Sequence, residues 1–392
     1  MKICVTGGAG FIGSEFVRLI LGTHPDDSVV VLDKLTYAGN LENLSSVRDD
    51  ARFEFVHGDI ADVALVDGIA GRVDAIVNFA AESHVDRSLE APGAFIQTDV
   101  YGTFVLMEAA RHHGHTRFLH VSTDEVYGQV RTGSSVEGDR FEPRSPYSAS
   151  KAAAELLIQS YVVSYGFPAL VTRGSNTYGP YQFPEKIIPL FITNALDGRE
   201  LPVYGDGTAV RDYMYVTDHA RGIDVVLRQG EPGQAYNLGF GGEVSGNEVA
   251  NRIVELTGCS AGLIKRVADR AGHDMRYSLD SSRAKALGWA PQYDFAAGME
   301  KTVAWYRENR AWWEPLKADD FWQFYERNYR EAPGQAPAAA PADLAPVRPS
   351  AGFCCLVVLV SWGWSSWGWP TTRGILFLLP TGSSATLSTS GR

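Results

Sequence analysis

Residues 6–13 read TGGAGFIG; they follow a short apolar run, KICVT, and open a stretch of helical periodicity. Strand, glycine turn and helix in that order form the first βα unit of a dinucleotide-binding fold. Gly7, Gly8, Gly10 and Gly13 stand where backbone must turn tightly and approach a pyrophosphate. About 20 residues on, at the end of the next run, SVVVLD, comes Asp33, whose carboxylate fits an adenosine ribose diol. The same charge disfavours a 2′-phosphate, so NAD is expected rather than NADP, although Lys34 beside it leaves room for the phosphate.

Outward from that unit, short β-branched runs (RFEFV, DAIVNFA, RFLHVS, PALVTR) alternate with helical patterns, the best of them at 11–21, 93–113 and 148–165. The alternation predicts an α/β fold, a Rossmann-type doubly wound parallel sheet with helices on both faces. Residues 1–178 read as the NAD-binding domain. From Gly179 onward Pro and Gly become frequent and the rhythm weakens, so 179–330 reads as a smaller C-terminal substrate-binding lobe, with segments near 213–240 returning to the first domain. Residues 331–392 differ again. A Pro/Ala-rich linker precedes an apolar stretch whose uninterrupted part, FCCLVVLV at 353–360, is shorter than the roughly 20 residues a membrane helix requires. The expectation is a disordered segment without a functional role rather than an anchor.

The chain has 392 residues, 45% apolar and 21% charged, enough for a sizeable core. A net charge of −11 without a basic cluster argues against nucleic acid as a partner. Cys4, Cys259, Cys354 and Cys355 show neither metal-ligand spacing nor a disulfide framework, which suits a reducing cytoplasm. No metal is expected. The N-terminus lacks a signal-peptide pattern.

Two further stretches carry chemistry. Tyr147 and Lys151 make the only Tyr-x-x-x-Lys of the chain, and Ser145-Pro146 before them is a helix-start signal, so both side chains fall on one face. An ammonium there is expected to lower the phenol pKa and make Tyr147 a usable base. STDEVYG (122–128) follows a buried-strand pattern and sets Asp124 and Glu125 at a strand end, where parallel sheets present side chains to ligands. Thr123 adds a hydroxyl that can share the proton being moved.

Together with DKLTYAGN, AAESHVDRS, SPYSASKA, GPYQFPEK, LPVYGDG, VRDYMYV and DRAGHDMRY, these stretches resemble the extended short-chain dehydrogenase/reductase superfamily and, within it, the dTDP-glucose 4,6-dehydratase family, from Met1 to about Arg330. The resemblance implies conversion of dTDP-glucose to dTDP-4-keto-6-deoxyglucose and water, with Thr123, Asp124, Glu125, Tyr147 and Lys151 as catalytic residues. In that scheme Tyr147 takes the O4 proton, Glu125 takes the C5 proton and Asp124 protonates the departing O6. The implied NAD contacts are Gly7, Gly10, Phe11, Ile12, Gly13, Asp33, Lys34, Leu35, Thr36, Asp59, Ile60, Ala80, Ala81, Ser83, Thr98, Tyr147, Lys151 and Thr177. The implied sugar-nucleotide contacts are Ser83, Thr123, Asn176, Lys186, Ile187, Pro202, Tyr204, Arg211, Asn247, Asp269, Arg270, His273 and Arg276. Arg211 beside Asp212 also reads as a surface ion pair. His84 and His120 read as structural.

The chain departs from the family pattern in GSNTYGP (174–180), where Gly174 and Thr177 replace a cysteine and an asparagine; a weaker cofactor grip is the expectation. Ala209 stands where a polar residue is common, and Phe240 where a glycine is. Two other readings stay open: an NAD-dependent nucleotide-sugar epimerase or decarboxylase of the same fold, and a non-catalytic dinucleotide-binding regulator. The two acids at 124 and 125 speak for the dehydratase, since neither alternative needs both. The family also implies a homodimer formed through the two long helices.

Overall fold

The computed structural model describes residues 1–269, 273–329, 362–364 and 370–372. Seven strands, β1 (Lys2–Thr6), β2 (Ser28–Asp33), β3 (Phe53–His57), β4 (Ala75–Asn78), β5 (Arg117–Thr123), β6 (Ala169–Gly174) and, from later in the chain, β10 (Ala235–Leu238), form one sheet. Its order is β3-β2-β1-β4-β5-β6-β10, and every neighbouring pair is parallel. This is the doubly wound arrangement, and its chain reversal lies between β1 and β4. In such sheets the crevice beyond the carboxyl ends at that point takes the ligand.

Each central strand buries both faces, as a parallel sheet covered on two sides requires: Ile3 and Val5 pack with Phe16, Val17 and Ile20 on one side, while Cys4, Val30 and Ile76 pack with Val105, Leu106 and Phe118 on the other. The helix Val216–Gln229 packs on the helix Phe11–Thr23, so a segment late in the chain covers the first face.

The smaller sheets hold what lies over the strand ends. β7 (Asn176–Tyr178) pairs in parallel with β9 (Val210–Tyr215), which carries β11 (Glu243–Ser245) antiparallel, and β8 (Leu201–Tyr204) pairs in parallel with β12 (Ile264–Val267). A third apolar cluster, with Tyr178, Phe191, Tyr306 and Trp313, supports them.

The helix read at 93–113 is not continuous. It is built from Pro92–Phe95, a π-helical turn Ile96–Gly102, and Thr103–His112. The turn brings Gly102 so close to the Ile60 side chain that a Cβ there would stand 2.4 Å from Cδ1. Periodicity alone does not register one extra residue in a turn.

These elements belong to the unit Met1–Gly334; in the second unit, Gln335–Arg392, two short strands, Trp362–Trp364 and Pro370–Thr372, pair antiparallel. The Pro/Ala-rich linker and the apolar run 353–360 lie outside the described residues.

Candidate active site

The glycine turn opens the site. Gly7 has φ +66°, and a Cβ on it would stand 2.6 Å from the Ala80 backbone nitrogen, while one on Gly13 would stand 2.3 Å from the Gly7 carbonyl oxygen. Only hydrogen atoms fit there, which brings the first helix, Phe11–Thr23, onto the strand ends. At the tip of β2, Asp33 accepts hydrogen bonds from the Ala9 N–H (2.9 Å) and the Leu35 N–H (2.8 Å). Burial raises its pKa, and these two donors oppose the rise. Lys34 pairs with Asp59 at 2.7 Å.

Beyond β4, β5 ends at Thr123, which caps the short turn Asp124–Tyr127. Its Oγ1 accepts from the Glu125 N–H and donates to Asp124 Oδ1, each at 3.2 Å. Asp124 is 3% exposed, and its Oδ2 has no hydrogen-bond partner among the described residues. Burial first, then the charges of Glu125 and Asp212, push its pKa well above the usual carboxylate range, so the neutral acid is favoured. Glu125 beside it is half-buried.

The helix Pro146–Tyr165 supplies the third part. Ser145 closes a capping box with Ser148, and Pro146 takes the first helical position, as the sequence signal predicts. Lys151 is buried and donates to the Val121 carbonyl at 2.9 Å. The expected lowering of the Tyr147 pKa is not what the protein alone provides. Burial, then the charges of Glu125 and Asp99, push the phenol well above its ordinary value, and a hydrogen bond with Thr123 opposes them. Positive charge supplied by a bound ligand would be needed to reverse that balance.

All three parts line one cleft of about 460 Å³, a size that suits a small-molecule site. Residues 4–302 match the GDP-mannose 4,6 dehydratase family. A dTDP-glucose 4,6-dehydratase of Streptomyces antibioticus is 51% identical over 323 residues, 81% of this chain and 96% of the relative. The dTDP-glucose 4,6-dehydratase 1 of Escherichia coli K12 is 45% identical, over 84% of this chain and 99% of the relative. The chain belongs to the dTDP-glucose 4,6-dehydratase family. Among solved structures, DesIV, the dTDP-glucose 4,6-dehydratase of Streptomyces venezuelae with NAD and dTDP bound, superposes with a TM-score of 0.79 at 52% identity, covering 81% of this chain and all of that one.

Against the positions implied by the family, the cleft brings together Gly7, Gly10, Phe11, Ile12, Gly13, Asp33, Lys34, Thr36, Asp59, Ile60, Ala80, Ala81, Ser83, Thr98, Tyr147, Lys151 and Thr177. Leu35 does not line it; its backbone, at φ +53°, serves Asp33 instead. Of the sugar-nucleotide positions, Ser83, Thr123, Asn176, Lys186, Ile187, Pro202, Tyr204, Arg211 and His273 line the cleft. Asn247, Asp269 and Arg276 do not. Asn247 donates to the Asp206 carbonyl, Asp269 pairs with His273 at 2.7 Å, and Arg276 pairs with Glu243. Arg270 lies outside the described residues.

The surface ion-pair reading of Arg211 does not hold. It is 8% exposed, donates to the Val210 and Asp274 carbonyls, and stacks over Tyr277 at 4.5 Å, so its charge is held by neutral oxygens.

The sequence reading missed Glu82, Asp86, Gln182, Glu185 and His219, all of which line the cleft. The first two lie within AAESHVDRS, a stretch already marked as informative. His84 lines the cleft too, although it reads as structural; His120 is fully buried, meets Asn78 at 3.1 Å and does not line it.

Proposed function

We propose that this chain converts dTDP-glucose to dTDP-4-keto-6-deoxyglucose and water with NAD as its cofactor. The observation that carries the reading is the pair at 124 and 125: two neighbouring carboxyls in one cleft, of which the buried one favours its neutral form and is capped by Thr123. Elimination of water needs a proton donor and a proton acceptor at once, and such a pair provides both.

The residues fit NAD. The glycine cradle leaves no room for a Cβ at Gly7 or Gly13, Asp33 faces the place of the ribose, and Lys34, the feature that left room for a 2′-phosphate, is engaged by Asp59. Held there, NAD would supply the hydride acceptor for C4 and afterwards the hydride donor for C6. Tyr147 takes the O4 proton as C4 is oxidised, with Thr123 holding that oxygen and Lys151 fixing the charge near it. The 4-ketone acidifies the C5 proton; Glu125 removes it, Asp124 gives its proton to O6 as the C6–O6 bond breaks, and the proton on Glu125 returns to C5 as C6 regains the hydride. Arg211 and Lys186 offer cations to the diphosphate, and Tyr204 offers a ring face to the base.

We read the cleft as lying between a nucleotide-binding lobe, 1–178 with 213–240, and a substrate lobe over 179–330. A homodimer is part of the proposal. Leu156, Val163 and Tyr165 on one helix and Ile96 and Tyr101 near another are exposed apolar residues of the kind a helix–helix interface covers. Light scattering after gel filtration tests it, and a monomer refutes it. Among the described residues no helix is long and apolar enough to cross a membrane, and free Cys4 and Cys259 suit the cytoplasmic location proposed here.

The deciding assay incubates the purified protein with dTDP-glucose and follows the alkali-induced ultraviolet absorbance of a 4-keto-6-deoxy sugar. Absence of that product, with NAD present, refutes the proposal.

A further inference from the structure

Beneath the cleft floor sits a carboxylate to which the mechanism assigns no role. Asp99 lies in the π-helical turn Ile96–Gly102 and has no exposed surface. The turn leaves Thr98 on the cleft wall and sets Asp99 inward. There Oδ1 accepts from the Glu82 N–H at 2.9 Å, and Oδ2 accepts from the Ser150 hydroxyl at 2.5 Å. One side chain thus ties the loop that follows β4 to the helix carrying Tyr147 and Lys151. Ser150 stands between those two, and its hydroxyl also lies 2.8 Å from the Tyr147 carbonyl.

The charges around it leave a distinct task. Lys151 is buried, and burial lowers its pKa; Asp99 is the foremost group opposing that, followed by Glu155. Glu155 is already engaged, since both of its oxygens accept from the guanidinium of Arg173 at 2.7 to 3.2 Å. On the other side, Asp99 raises the pKa of Tyr147, as Glu125 does more strongly and Asp124 less. Glu82 adds a like charge near Asp99, and His120, fully buried and held neutral by that burial, also feels Lys151.

We propose that Asp99 is the counter-charge of the Tyr147–Lys151 pair, a positioning residue whose one negative charge keeps the Lys151 ammonium protonated and sets the pH range in which both groups are correctly charged. The proposal rests on the dehydratase reading above. Burial raises the Asp99 pKa to about 6 against the pull of Lys151 and Ser150, so the anion is present at neutral pH and is lost just below it.

Asp99→Asn isolates the charge. The amide oxygen still accepts from Glu82, the amide nitrogen donates to Ser150 Oγ, and Ser150 turns its proton to the Tyr147 carbonyl, so every hydrogen bond has a replacement. Without the anion, Lys151 loses its proton more readily, and Tyr147 does too. The pH–kcat/KM profile of the variant holoenzyme is expected to move to lower pH on both limbs, by the order of one pH unit. Asp99→Ser carries the same prediction should the asparagine variant not fold. A profile with wild-type limbs, at full or reduced height, overturns the proposal, because a merely structural role changes the height alone. A wild-type protein without dehydratase activity refutes the earlier reading instead. The nuclear resonance titration of ε-labelled lysine then decides this one: the Lys151 midpoint falls in the variant if Asp99 is its counter-charge, and stays if it is not.

Discussion

Replacing Asp124 by asparagine separates the proton donor from the rest of the machinery. The side chain is buried, its Oδ1 is held by Thr123, and its Oδ2 has no partner among the described residues. Because burial favours the neutral acid, asparagine changes neither shape nor charge by much. A buried N–H without a partner costs about 1–3 kcal/mol, but the acid already carries an unpartnered O–H there, so the net loss of stability stays below about 1 kcal/mol. Catalysis fares differently. A positioned general acid contributes about a hundred- to ten-thousand-fold, and at about 1.4 kcal/mol per decade its loss raises the barrier of C–O cleavage by about 3–5 kcal/mol. Glu125 and Tyr147 remain, so removal of the C5 proton continues. Incubation in deuterated water is therefore expected to exchange the C5 proton of recovered dTDP-glucose while keto-sugar formation falls by at least about a hundredfold. Turnover within about tenfold of wild type refutes the role of Asp124 as donor. So does exchange that falls in step with turnover.

Three other changes test other links of the same chain of reasoning. Glu125→Gln is expected to abolish C5 exchange along with turnover while nucleotide affinity, measured by calorimetry with dTDP, stays near wild type; retained exchange removes Glu125 as the base. Gly7→Ala forces an L side chain to φ +66° with its Cβ 2.6 Å from a backbone nitrogen. The strain is about 1–2 kcal/mol before any overlap, and NAD released on acid denaturation should fall well below one per chain. Ser145→Ala removes the side chain that accepts from the Ser148 N–H at 3.0 Å and closes the capping box. It should lower the denaturant-derived stability by about 1 kcal/mol without changing the pH profile, because the cap lies outside the charge network.

How far the sequence carries is visible at individual residues. The parallel sheet and its first βα unit follow from local facts: a strand buried on both faces reads as a continuous apolar run, and a glycine turn before a helix has few other uses. The capped start of the Tyr147 helix was legible for the same reason, since Ser145 and Pro146 act within four residues of each other. Long-range electrostatics was not. The spacing of Tyr147 and Lys151 suggests a lowered phenol pKa, yet burial, then the charge of Glu125 and that of Asp99, far away in the sequence, all push it upward. The π-helical turn that delivers Asp99 was equally hidden, because the residues on either side of it satisfy a helical pattern.

The two departures from the family motif show the same limit from another side. Read singly, Gly174 loosens a strand and Thr177 loses an amide. In the folded chain both touch one imidazole. A Cβ on Gly174 would stand 2.4 Å from His219 Cε1, and Thr177 Oγ1 lies 2.7 Å from His219 Nδ1. Burial depresses the His219 pKa to about 3, so the ring is neutral and can hold Thr177 without adding a further cation beside the cleft. Glycine is thus the residue that leaves room for the ring, and threonine the one that meets it, so the pair acts as one packing unit. A larger residue at 174 must displace the ring and with it the partner of Thr177; the effects of changing these two positions are therefore coupled rather than additive.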